Sequence, residues 1–149
     1  MPKINLAAIP PATSTGYPPE YAKIVEGRSY RRLGPASGLT DFAVSYVVLK
    51  PGAASAQRHW HEDEDEFAVI ISGAAVLVDD AGRHPMREGD CAAFPKNDGN
   101  GHMLVNESTE DCVFVVVGKT TNGNCHYPDV DMRYNADDNS FTRKDGRAF

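Results

Sequence analysis

Between Asp41 and Val117 the chain is a series of short, β-branched segments, each cut off by a glycine, a proline or an acidic turn. Asp41 to Lys50 ends at Pro51-Gly52, and Glu66 to Ser72 ends at Gly73. Ala75 to Val78 runs into Asp79-Asp80-Ala81-Gly82, which reads as a hairpin turn. Ala54 to His61, His84 to Met86, Cys91 to Phe94, His102 to Asn106 and Cys112 to Val117 complete the series. Short strands at this spacing, with no long helical period among them, predict an all-β sandwich or barrel. The 149 residues, 41% of them hydrophobic, suit one domain. Residues 1–40 form an N-terminal arm broken by Pro10, Pro11, Pro18, Pro19 and Pro35, with room for one helical piece between Glu20 and Glu26 and an edge strand. Residues 41–120 form the barrel, and the polar stretch 121–149 is expected as an irregular arm over its surface.

Charge and composition narrow the partners. A net charge of -6 and the lack of a basic stripe argue against nucleic acid. No apolar run reaches the length that spans a bilayer, and the first residues lack a signal-type apolar core. Cys91, Cys112 and Cys125 make no metal-like pair, so free thiols in a reducing cytoplasm are expected.

Strand parity then picks out a set of side chains. Residues two apart on a strand share a face, so His59 and His61 point one way with Gln57 and Ser55, and Trp60 points the other. After the acidic turn Glu62 to Asp65, Glu66, Ala68 and Ile70 share one face, and Phe67, Val69 and Ile71 the opposite one. If the two strands are antiparallel neighbours, Glu66 comes close to the paired histidines. His102 shares its face with Leu104 and Asn106. Three imidazoles and a carboxylate suit one divalent iron, manganese, nickel or zinc ion and leave coordination positions open for a ligand. A metal also offsets the cost of an ionised Glu66 facing an apolar interior.

The stretch Gly52 to Gly73, GAASAQRHWHEDEDEFAVIISG, resembles the first motif of the cupin superfamily, and Gly89 to Asn106, GDCAAFPKNDGNGHMLVN, resembles the second. With EDEF, GDCAAFP, YPDVD and RKDG around them, the chain looks like a small single-domain bacterial cupin. The resemblance implies a double-stranded β-helix, or jelly-roll barrel, with His59, His61, Glu66 and His102 as metal ligands. The Pro95-to-His102 loop is longer than the family pattern, which implies a widened loop near the site.

The expected function is that of a small-molecule metalloenzyme. Its chemistry is either dioxygenase-type or Lewis-acid isomerase, lyase or hydrolase chemistry; the alternative is a non-catalytic metal- or metabolite-binding module. Gln57 and Tyr46 are expected to orient a substrate or support a ligand. Arg58 points outward by parity, and Ala68, Ile70 and Leu104 suggest a partly apolar ligand rather than a sugar phosphate, which would require arginine or lysine inside. Glu62 to Asp65 reads as a solvated turn, and His84 and His126 as surface or packing residues. Trp60, Phe67, Val69 and Ile71 make an outer apolar face that needs a cover, and a homodimer is expected to supply it.

Overall fold

The computed structural model describes residues 3–119 and 123–149, so the expected boundary between barrel and C-terminal arm at 120–121 lies outside the described residues. Among the described residues there are twelve strands: β1 (Arg28–Arg32), β2 (Ala43–Leu49), β3 (Trp60–His61), β4 (Glu66–Ser72), β5 (Ala74–Asp79), β6 (Gly82–Arg87), β7 (Cys91–Phe94), β8 (Met103–Val105), β9 (Cys112–Gly118), β10 (Cys125–Tyr127), β11 (Met132–Asn135) and β12 (Ser140–Thr142). They pair antiparallel in three sheets, ordered β1-β2-β9-β4-β7, β12-β11-β10-β3 and β6-β5-β8. The jelly-roll barrel read from the sequence is therefore the architecture of the chain. No helix among the described residues is long and apolar enough to cross a membrane.

Alternation decides which residues fill the barrel. In the five-stranded sheet Val47 lies opposite Phe114, and Phe114 opposite Ile70, so these three share the inner face. They join Leu49, Ala68, Leu104 and Cys112 in one buried cluster. The odd-phase partners Val44, Tyr46 and Val48 face outward, as do Phe67 and Ile71, which remain 43% and 44% exposed. The chain reverses between β4 and β5 at Gly73, whose φ is +75°, and a Cβ there would lie 2.3 Å from the Asp111 carbonyl oxygen. Only glycine fits that close approach.

The arms carry more order than their composition suggests. The helical piece is present as α1 (Pro19–Ala22) followed by a 3-10 turn over Lys23–Val25. Ala12 bridges Tyr30 of β1, tying the N-terminal arm to the edge of the large sheet. The C-terminal arm is not wholly irregular: it contributes three strands, with β10 pairing with β3 and with β11, and β11 with β12. Tyr17 of the first arm meets Tyr127 and Phe141 of the second edge-on, at 5.7 and 5.5 Å between ring centroids. Together with the fully buried Met132 they make a second small core. Trp60 does not belong to the exposed outer face, since His126 stacks on it at 4.2 Å and the C-terminal arm covers it.

Asn106 joins the loops at one end of the barrel. It is fully buried, and its Nδ2 donates to the carbonyls of Leu49 and Glu110 at 2.8 and 2.7 Å. Its Oδ1 accepts from the Ser108 amide and hydroxyl at 3.0 and 2.7 Å. Asn106→Leu keeps the branched shape but takes the amide donor from the buried Leu49 carbonyl and the acceptor from Ser108. It is expected to lower unfolding free energy by about 2–4 kcal/mol in urea titration, and a loss within error of zero would show that water replaces the amide.

Candidate metal centre

His59 and His102 face each other across an antiparallel bridge, with the His59 amide donating to the His102 carbonyl at 3.1 Å and the reverse bond at 2.8 Å. His61 follows two residues on, in β3, so both rings turn to the same interior. Glu66 arrives differently from the expected route. Its strand, β4, pairs with β7 and β9, while β3 pairs with β10. Glu66 therefore reaches the histidines across the barrel and not along a shared ladder.

The four side chains converge through His Nε2 atoms and one carboxylate oxygen. Glu66 Oε2 lies 3.0 Å from His61 Nε2, 3.0 Å from His102 Nε2 and 3.8 Å from His59 Nε2. The Nε2 atoms of His59 and His61 are 3.1 Å apart, and all four ligand atoms lie within 4.8 Å of one another. Atoms placed at right angles about 2.0–2.2 Å from a shared ion would be about 3 Å apart. The spacing and the nitrogen-rich donor set thus fit a divalent first-row ion, and the cluster is able to hold one.

Each ring is held from behind. His59 Nδ1 donates to the Gln57 carbonyl at 2.8 Å, which leaves Nε2 as the free lone pair. His61 Nδ1 faces Glu64 Oε2 at 3.3 Å. His102 stacks on Phe94 at 3.7 Å with the planes 6° apart, and its buried Nδ1 has no partner. Such outer contacts fix ring orientation and tautomer in metal sites.

Charge within the group is tightly linked. Burial, reinforced by the neighbouring His102, pushes His59 down to about 3. Burial alone would also lower His61, but Cys125 and Glu66 outweigh it and carry His61 up to about 11. Burial opposes ionisation of Glu66 as well, yet the hydrogen bonds from His102 and His61 hold it well below the usual carboxylate range. Glu64 is lifted by burial to about 7, against the pull of His61.

The cluster lies on the wall of a cavity of roughly 440 Å³, which also takes in Glu64, Phe94, Tyr17, Arg28, Tyr30 and Arg32. The side chains of Gln57 and Tyr46 lie outside this cavity. The Gln57 side chain donates to the Tyr21 carbonyl at 2.9 Å, and only its backbone carbonyl supports the site. Tyr46 sits on the outer face of β2, opposite Arg31 and Val115. Arg58 does point away, bound to Asp80 and Asp129. The expectation of a cavity without arginines is overturned, because the N-terminal arm supplies two. Glu64 was hidden in the acidic turn, although it stands two residues before Glu66 and so shares its phase. The longer loop does pass the site, where the Asn97 amide donates to the His61 carbonyl at 2.8 Å.

Comparison with known proteins agrees with this architecture. The sequence profile of the family described as "Cupin domain" matches residues 45–118. A sugar phosphate isomerase of the cupin superfamily from Silicibacter pomeroyi is 46% identical, with 99% of this chain and 96% of that one covered and a TM-score of 0.94. A protein from Acidithiobacillus ferrooxidans that carries the provisional name sugar phosphate isomerase is 27% identical, covering 77% and 74% of the two chains with a TM-score of 0.70. A polyketide cyclase from Streptomyces resistomycificus, 18% identical over 81% and 80% with a TM-score of 0.68, shares the fold alone. No curated protein matches the sequence. The barrel, the two motifs and the near full-length likeness lead to one conclusion: the chain belongs to the cupin superfamily.

Proposed function

We propose that this cupin is a metal-dependent isomerase acting on a sugar phosphate. The observation that carries the reading is one cavity holding both the four-donor cluster and, on its wall, two arginines. The name of the 46%-identical Silicibacter pomeroyi protein supports it. A divalent ion held by His59, His61, Glu66 and His102 would supply Lewis acidity toward a carbonyl or hydroxyl oxygen.

The chain's own residues supply the rest. Gln57 and Glu64 keep the two ring nitrogens of His59 and His61 aimed inward. Phe94, Ala68 and Val116 line the cavity and limit water around the reacting carbons. Glu64 is the one wall carboxylate outside the cluster among the described residues. In the proposed reaction it takes the proton from the hydroxyl-bearing carbon next to the carbonyl and returns it to the former carbonyl carbon. The hydroxyl hydrogen passes between the two oxygens, so aldose and ketose interchange with no net oxidation.

Metal analysis of untagged protein is expected to give about one divalent ion per chain, lost in His59→Ala and His102→Ala. Reloading at an ion concentration on the order of 100 times Kd should raise Tm by about 5–10 °C. In D2O, the loaded protein should interconvert members of a panel of pentose and hexose phosphates, with deuterium entering at the carbon next to the carbonyl. Glu64→Gln keeps an acceptor for His61 and should slow that exchange by about 100-fold or more at unchanged metal content. Loaded protein that neither isomerises nor exchanges any member of the panel overturns the reading.

A second copy of this chain is proposed to cover the outer face of the large sheet. Both arms are already engaged at β1 and β3, yet Phe67 and Ile71 stay exposed beside the outward valines of β2 and β9. Light scattering should give the mass of two chains, falling to one in the Phe67→Asp, Ile71→Asp double variant. A single-chain mass for the unsubstituted protein at micromolar concentration rules this out.

A further inference from the structure

The register of β1 turns three of its residues into the cavity. Arg28, Tyr30 and Arg32 lie opposite Leu49, Val47 and Ser45, the inward-facing residues of β2. Ser29 and Arg31 take the other face, where Arg31 Nε donates to the Ile9 carbonyl at 2.8 Å. Because β1 is the edge strand of its sheet, the two inward arginines stand at the rim of the cavity.

Their charges are not neutralised. Lys50, Arg58, Arg83, Lys96, Lys119, Arg133, Arg143 and Arg147 each lie within 4 Å of a carboxylate. Among the described residues neither Arg28 nor Arg32 forms such a pair. Arg28 is tied only to neutral groups, the carbonyls of Ser55 at 2.7 Å and Ser14 at 3.3 Å, and its Nε is buried with no partner. The guanidinium carbons of Arg28 and Arg32 lie 5.3 and 5.6 Å from the centre of the Tyr30 ring. The Tyr30 hydroxyl donates to the Ser14 carbonyl at 3.2 Å and meets Ser14 Oγ at 3.1 Å beside the same rim. Burial lowers the Arg28 pKa from its ordinary value, a sign that its charge is poorly compensated as it stands.

An uncompensated, partly desolvated guanidinium favours an anion that can take several N–H bonds at once. A second, exposed guanidinium, that of Arg32, beside the same aromatic ring favours a dianion over a single carboxylate. We propose that Arg28 and Arg32, with Tyr30 between them, are the receptor for the phosphate group of the substrate. The metal cluster would face the hydroxyl–carbonyl end. The assignment of that second end rests on the isomerase reading; the phosphate receptor stands on the arginines alone.

The test is calorimetric titration of inorganic phosphate into the metal-loaded full chain, with metal content and Tm checked for every variant. Arg32→Met removes an exposed side chain that holds no backbone group, so folding is not at issue; Arg28→Met is the companion. Each should weaken phosphate binding by about 10-fold or more at unchanged metal content, and Arg31→Met on the opposite face should leave it unchanged. His102→Ala, with both arginines intact, should retain phosphate. Affinity within about twofold of the unsubstituted protein in both Arg28→Met and Arg32→Met overturns the proposal. So does loss of phosphate in His102→Ala, which would place it on the ion, or a sugar carboxylate competing better than the matching sugar phosphate. Arginine-dependent phosphate binding without turnover of any sugar phosphate would overturn the isomerase and keep the receptor. Turnover with an unchanged KM in Arg32→Met would do the reverse.

Discussion

Three imidazole nitrogens and a carboxylate oxygen aimed at one point are stable only with positive charge between them. At separations of 3.0–3.1 Å in an interior of low dielectric, four acceptors repel one another strongly. Hydrogen bonds supply part of that positive charge, with His61 and His102 placing Nε2–H against Glu66. A divalent ion held by the four side chains would supply it more completely, since it would satisfy His59 as well, whose Nδ1 is committed to the Gln57 carbonyl. Binding of such an ion would displace protons from the cluster.

The scaffold's task is to hold these atoms close before anything is bound. It does so from two directions. The His59–His102 bridge fixes two rings in one backbone ladder, so their separation is set by strand spacing. Glu66 is delivered from the opposite sheet, at the end of β4, where β7 and β9 flank it on both sides. The third ring depends on the C-terminal arm: β3 is two residues long, and its partner is β10. Without that arm His61 would have no ladder, and Trp60 would lose the His126 ring that covers it. The second core of Tyr17, Tyr127, Met132 and Phe141 is thus part of the site's support and not decoration on the barrel.

What could be read in the chain follows from how local each signal is. The convergence of the four side chains was legible because parity along His59-Trp60-His61 and the glycines around them are properties of short segments. The partner of β3 was not, since a two-residue strand carries no pattern that chooses between β4 and β10. Gln57 had the right phase, but it precedes the regular strand, and the backbone there turns its side chain to Tyr21. Glu64 had the phase of Glu66, masked by three acidic neighbours that look like solvent-facing charge. In Arg28-Ser29-Tyr30-Arg31-Arg32 the alternation was present; the inward direction of Arg28 and Arg32 was fixed only by the register against Val47.

The rim arginines also resolve a conflict in the electrostatics of the whole chain. A net charge of -6 repels anions at long range, which suits neither a phosphate ester nor any acidic ligand. Screening confines that repulsion to about 8–10 Å at physiological salt, however, and inside that distance the local charges decide. Most other cations of the described surface are spent on neighbouring carboxylates, so they contribute little field of their own. Arg28 and Arg32 are not, and they face a cavity whose low-dielectric walls concentrate their field. With two unpaired arginines at the rim of the cavity, an acidic protein discriminates by shape as well as by charge: an anion gains from both only if it fits the cavity that holds the four-donor cluster.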